Sequence, residues 1–127
     1  MGLQKFDRSK FFGVCTAISS RVLGKRAEIE VLSPINGRLI AVRWRPLIGI
    51  IYEPASDALK IMLDGADHLI FHPIEMYLDF GNGGVQNLGI LDRENAWQIV
   101  ILRDPLMLPR PTAKIDVRQG GRPVFPE

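Results

Sequence analysis

From Lys25 to Arg103 the chain is written in short runs that alternate apolar and polar residues, and each run is closed by a turn signal. Successive side chains of a strand point to opposite faces, so a run of this kind buries one face and wets the other. Ala27, Ile29 and Val31 alternate with basic residues and glutamate. Ile40, Val42 and Trp44 alternate with Arg43 and Arg45, and Trp44 is expected in the core with its phase mates. Pro46 then interrupts, because it cannot donate to a ladder. The stretch LIGIIY that follows is apolar on both faces and reads as a central strand. Leu59, Ile61 and Leu63 form the next run, His68 to His72 a short one ended by Pro73, and Met76, Leu78 and Phe80 another. Val85 to Leu91 and Trp97 to Leu102 make a last hairpin.

The punctuation is as telling as the runs. SPING (Ser33 to Gly37), EPASDA (Glu53 to Ala58), DGAD (Asp64 to Asp67), GNGG (Gly81 to Gly84) and DREN (Asp92 to Asn95) carry the residues that accept positive φ or bond their own backbone. Connections this short favour antiparallel neighbours, since a parallel crossover needs a dozen or more residues. Before the runs, Phe11, Val14, Cys15, Ile18 and Val22 recur at three- and four-residue steps, which predicts one helix. Asp7 is its expected N-cap and Gly24 its stop. The expected fold is therefore α+β and mostly antiparallel β. About seven short strands would form a curved sheet or small barrel, with one N-terminal helix packed on it.

A chain of 127 residues suits one domain. The alternation stops at Asp104, after which five prolines and two adjacent glycines crowd the remaining residues. Residues 1–108 are expected to form the α+β domain, and 109–127 an extended, basic Pro/Gly-rich tail. A single cysteine, Cys15, excludes an internal disulfide and a cysteine metal cage. Its place on the helical stripe marks it as a small buried hydrophobe. No apolar stretch approaches a membrane span, and the start lacks the pattern of a secretion signal, so a cytoplasmic protein is expected.

Net charge is only +2, but its distribution is uneven. Residues 1–46 carry +6, residues 47–104 carry −6, and residues 105–127 carry +2. Either the molecule is a strong dipole, or folding interleaves the segments and cancels the signs; the second is favoured. Arg38, Arg43 and Arg45 beside Trp44 resemble a single-strand nucleic-acid surface. A solvated basic face is the better reading, and nucleic acid is not expected as a partner.

The stretch DHLIFHPIEMYLD, Asp67 to Asp79, holds both histidines among several carboxylates. In a helix, residues four apart could share a metal; along a strand they stand roughly 13 Å apart. Zinc–nitrogen bonds are about 2 Å, so an extended backbone keeps His68 and His72 from binding one ion. Neither shows the orienting partner and cavity that a general base needs, and His72, before Pro73, is expected to bond a nearby turn backbone. No catalytic residue, metal site or cofactor is assigned. Asp67, His68, His72 and Glu75 are the candidate ligand residues if the segment lines a pocket.

The blocks PLIGIIYEP, DHLIFHPIEMYLD and RDPLMLP resemble those of a family of short bacterial proteins classed as a domain of unknown function. The resemblance implies a small β-rich bacterial domain and supplies no catalytic residues. Together these features point to a non-enzymatic binding or interaction module. Its partner would be another protein or a second copy of itself, as a homodimer formed through an exposed strand edge. The alternative is a small-ligand, metal or haem-binding protein using Asp67, His68, His72 and Glu75.

Overall fold

The structure, a computed structural model, describes residues 2–104, 112–114 and 124–125. Among the described residues, eight strands form one antiparallel sheet, with a single α-helix, α1 (Phe11–Val22), near the N-terminus. The strands are β1 (Gly2–Asp7), β2 (Arg26–Ser33), β3 (Gly37–Glu53), β4 (Ala58–Leu63), β5 (Ala66–Phe71), β6 (Pro73–Gly81), β7 (Gly84–Asp92) and β8 (Trp97–Arg103). Their order across the sheet is β1-β6-β7-β8-β2-β3-β4-β5. The sheet is curved but not closed, so of the two shapes the sequence allows, the open one is realised. Of the tail, only β9 (Thr112–Lys114) and β10 (Val124–Phe125) are described, and they pair antiparallel with each other. The rest of the expected tail lies outside the described residues.

The turns form where the sequence places them. Ser33 Oγ accepts from the backbone N–H groups of Ile35 and Asn36, and Gly37 adopts φ 75° to enter β3. Gly81 and Gly84 face each other at the end of the β6–β7 hairpin. Three features differ from expectation. The strand β1 precedes the helix and pairs with β6, bringing the main sheet to eight strands. Its sequence, GLQKFD, has no sustained apolar alternation, because it lies at an edge with most of its side chains in water. Asp7 consequently caps a short 3-10 turn, Arg8–Lys10, through a bond from Ser9 N, and α1 begins at Phe11.

The third difference is the length of β3. It runs through Pro46 and changes partners there. Gly37 to Pro46 pairs with β2, and Leu47 to Glu53 pairs with β4. Trp44 sits just before the change at φ 33°, beside a break in the β2–β3 register. The ring is half-buried rather than in the core, with the Arg103 guanidinium 5.9 Å from its centroid. Beyond the change, Leu47, Ile50 and Tyr52 are buried while Ile48 and Ile51 are exposed. LIGIIY is thus covered on one face only, the face that α1 packs against.

Phe11, Cys15, Ile18 and Val22 form the buried stripe of α1, and the inward residues of β2 to β8 complete one core. Fully burying such side chains stabilises by about 1.5–3 kcal/mol each. The helix also makes a polar contact with the sheet. Beyond Pro46 the β2 side of β3 has no strand partner among the described residues, and there the Ile50 N–H donates to Ser19 Oγ at 3.1 Å. Gly49 permits this approach, since a Cβ there would lie 2.9 Å from Ser19 Oγ. No helix among the described residues is long and apolar enough to cross a membrane.

Candidate functional site

The strand β5 alternates as its sequence requires. His68 and Ile70 turn inward, and Asp67, Leu69 and Phe71 turn outward and are exposed. From inside the curve, the His68 ring Nε2 donates to Gln98 Oε1 at 2.8 Å, and Gln98 Nε2 donates to Asp92 Oδ2 at 3.1 Å. The other Asp92 oxygen accepts from the backbone N–H groups of Glu94 and Ala96 in the β7–β8 turn. The sheet order separates β5 from β8 by three strands, so this chain of side chains bridges the concave side. Arg93 N adds a backbone bond to His72 O.

His72 ends the strand at φ 55°, a left-handed conformation that histidine tolerates better than most residues. Its backbone N–H donates to Asp57 O, in the turn that joins β3 to β4, whereas the ring, expected on a turn backbone, finds a carboxylate. The ring Nδ1 also donates to Asp57 Oδ2 at 3.2 Å. The Tyr52 hydroxyl donates to Asp57 Oδ1 at 2.6 Å, and Arg8 lies 3.5 Å from Oδ2. The Tyr52 bond, then those of His72 and Arg8, hold the Asp57 carboxyl below its ordinary value against the opposing effect of burial. Burial, reinforced by the carboxylate, pushes the Tyr52 phenol up. Tyr52, Asp57 and Arg8 are missed by sequence reasoning. Asp57 looks like a turn aspartate there, and only the fold brings Arg8 to it.

The four candidate ligand residues are not gathered. Asp67 and His68 point to opposite faces of β5, His68 is bound to Gln98, and His72 to Asp57. Glu75, on the outer face of β6, pairs with Lys5 at 3.4 Å and accepts from the Tyr77 hydroxyl. Among the described residues no three of His, Cys, Asp and Glu converge as a metal site would require. The Asp57–His72 pair has the form of an oriented base, but among the described residues no nucleophile is bonded to the His72 ring, and the carboxylate's other partners are a phenol and a guanidinium. Cys15 offers none, because it is fully buried and burial pushes its thiol up to about 12.

The arginines are likewise engaged. Arg38 makes a two-pronged contact with Glu30, Arg43 lies 3.8 Å from Glu28, and Arg45 donates to the Asp64 carbonyl. Lys5–Glu75 and Arg8–Asp57 join the basic first segment to the acidic second, so the signs interleave.

Two apolar surface features stand out among the described residues. One is the outer face of the β5 edge, where Leu69 and Phe71 are exposed, with exposed Ile51 two strands away across Lys60. The other is a cleft of about 350 Å³ on the outer face of β1, β6, β7 and β8. Its lining includes Leu3, Tyr77, Asp79, Asn87, Gly89 and Trp97. The rings of Tyr77 and Trp97 lie 5.5 Å apart between centroids.

The chain belongs to the Family of unknown function (DUF5335), which it matches over residues 3–111. The three blocks noted in the sequence fall within that match. An uncharacterised protein of the bacterium Aquifex aeolicus (strain VF5) is 28% identical over 93 residues, covering 72% of this chain and 84% of the relative. No solved structure matches.

Proposed function

We propose that this protein is a non-enzymatic interaction module that self-associates through β5. The observation that supports the reading is the character of that edge. Among the described residues, β5 pairs only with β4, so one side of its backbone has no strand beside it. Proteins usually protect such an edge with lysine, proline or a covering element. Here the outward residues are Asp67, Leu69 and Phe71, with Leu69 45% and Phe71 57% exposed. Ile51, also exposed, lies in register with Leu69 on the far side of Lys60. The opposite edge, β1, carries Lys5, which is paired with Glu75.

A second copy satisfies both halves of this surface. Antiparallel pairing of β5 with the same strand of another protomer is isologous and continues the sheet across a two-fold axis. It also brings the two apolar patches onto one side of the joined sheet. A ligand, metal or haem role for Asp67, His68, His72 and Glu75 draws less support, because the four have separate partners. Binding of nucleic acid by Arg38 and Arg43 is opposed by the glutamates already paired with them. A cytoplasmic setting fits a chain with one buried, unpaired cysteine.

Light scattering coupled to size exclusion tests the proposal. Wild type is expected to be a dimer whose melting temperature rises with concentration, and a Leu69→Lys/Phe71→Glu variant a monomer that still melts cooperatively. A wild-type monomer at about 1 mM would remove the reading, since even weak specific pairing is populated there.

A further inference from the structure

We infer that the cleft on the outer face of β1, β6, β7 and β8 is a binding site for a small organic amine, with its cationic head at Asp79 and its flat apolar body against Tyr77 and Trp97. This surface is remote in the sheet order from β5 and independent of self-association.

The register builds the cleft in rows. Leu3, Asp79 and Asn87 are cross-strand neighbours in one row, and Tyr77 and Gly89 lie in the next. Gly89 is the missing tooth that makes the hollow. It sits mid-strand with no register shift between β7 and β8, and it is not among the glycines at positive φ. A Cβ there would meet the Trp97 ring at 3.7 Å and the Tyr77 Cβ at 3.9 Å, which is ordinary contact. Neither the backbone nor a steric clash therefore demands glycine. Glycine inside a strand weakens it and often marks a close approach, here by the two aromatic side chains that wall the cleft.

The chemistry of the lining selects the occupant. A ligand site is mostly apolar with a few placed polar groups, and here Leu3, Tyr77 and Trp97 supply the apolar walls. The polar end is Asp79, whose carboxylate accepts from the Asn87 amide at 3.1 Å. No ion pair with a cation is recorded for it among the described residues, while the nearby Lys5 is taken by Glu75. An unneutralised carboxylate beside two aromatic rings favours a cation, through a charge-assisted hydrogen bond and the negative ring faces. A cleft of about 350 Å³ suits a single-ring amine rather than a polymer.

The test is titration of the full chain, observed by amide and indole NMR signals, with three probes of one shape. Phenethylamine carries the cation, 2-phenylethanol is its neutral counterpart, and phenylacetate is anionic. Phenethylamine is expected to shift the Gly89 amide and Trp97 indole signals and to bind about tenfold or more tighter than the alcohol. Phenylacetate should leave both signals unmoved. Asp79→Asn should erase the preference for amine over alcohol, and Gly89→Leu should abolish binding of both. Dispersed spectra of each variant establish that it folds, and Gly89→Val serves where leucine does not. Unmoved Gly89 and Trp97 signals, equal binding of amine and alcohol by wild type, or a preference that survives Asp79→Asn would each overturn the inference.

Discussion

His68 and His72 are four positions apart in the chain, yet they serve different parts of the molecule. His68 lies within β5 and reaches inward, where Gln98 hands its hydrogen bond on to a nearly buried Asp92. That network ties the last strand of the sheet to β8 across the concave side. His72 stands past the end of the strand in a left-handed conformation, with its ring on the half-exposed Asp57. Asp57 also holds Tyr52 and Arg8, so this second network clasps the β3–β4 turn, the end of β5 and the entry to the helix. The first region relays through a neutral amide, whereas the second concentrates on one carboxylate. Proximity in an extended chain therefore implies nothing about shared chemistry, and the two regions should fail separately.

The greatest effect is expected at Asp57. Asp57→Ala strips the Tyr52 hydroxyl, His72 and Arg8 of a common acceptor and places alanine at φ 51°. We expect a loss of about 2–3 kcal/mol at neutral pH by chemical denaturation. The folded carboxyl titrates below its ordinary value, so its contribution is whole above an unfolded pKa of about 4 and is lost as pH falls through the folded value. The gap between wild type and variant should thus persist from pH 7 to about 4 and shrink below it. A gap that instead widened in acid would contradict the assigned network.

Next comes the inner bridge. Gln98→Leu removes the amide between His68 and Asp92, at a position only 9% exposed, and leaves both without that partner. A cost of about 1–2 kcal/mol is expected, with no narrowing of the gap on acidification specific to Asp57. Smallest of all should be the coupling between the histidines. A double-mutant cycle of His68→Ala and His72→Ala should close to within about 0.5 kcal/mol, because separate networks add. A larger coupling would show the two rings acting as one unit, and the distinction between the regions would fall.

Much of the architecture could be read without coordinates, for reasons visible in single residues. The runs around Ile29, Ile61 and Leu78 alternate, so their buried faces follow from strand geometry. The stripe from Phe11 to Val22 reads as a helix because its period is that of a helix. The polar alternation of Glu75, Tyr77 and Asp79 marks the outer face of β6. The strand β1 was not legible, since GLQKFD gains its conformation by pairing with β6 rather than from its own pattern. Trp44 was misplaced because the β2–β3 register breaks beside it, and the ring stays half-buried near Arg103 instead of joining the core. The Tyr52–Asp57–His72–Arg8 cluster and the Gly89 hollow were invisible, as each needs neighbours from several strands.

Periodicity and turn chemistry belong to one segment at a time, and they are written in the order of the residues. They settled that this chain makes short antiparallel strands and one helix, which side of most strands is buried, and that the backbone is extended through His68. Which strand lies beside which is a property of pairs. The pairing of β1 with β6 and of β2 with β8 joins residues about seventy positions apart, and the core must close before register is specified. That step placed Arg8 on Asp57, His68 on Gln98, and Gly89 between Tyr77 and Trp97.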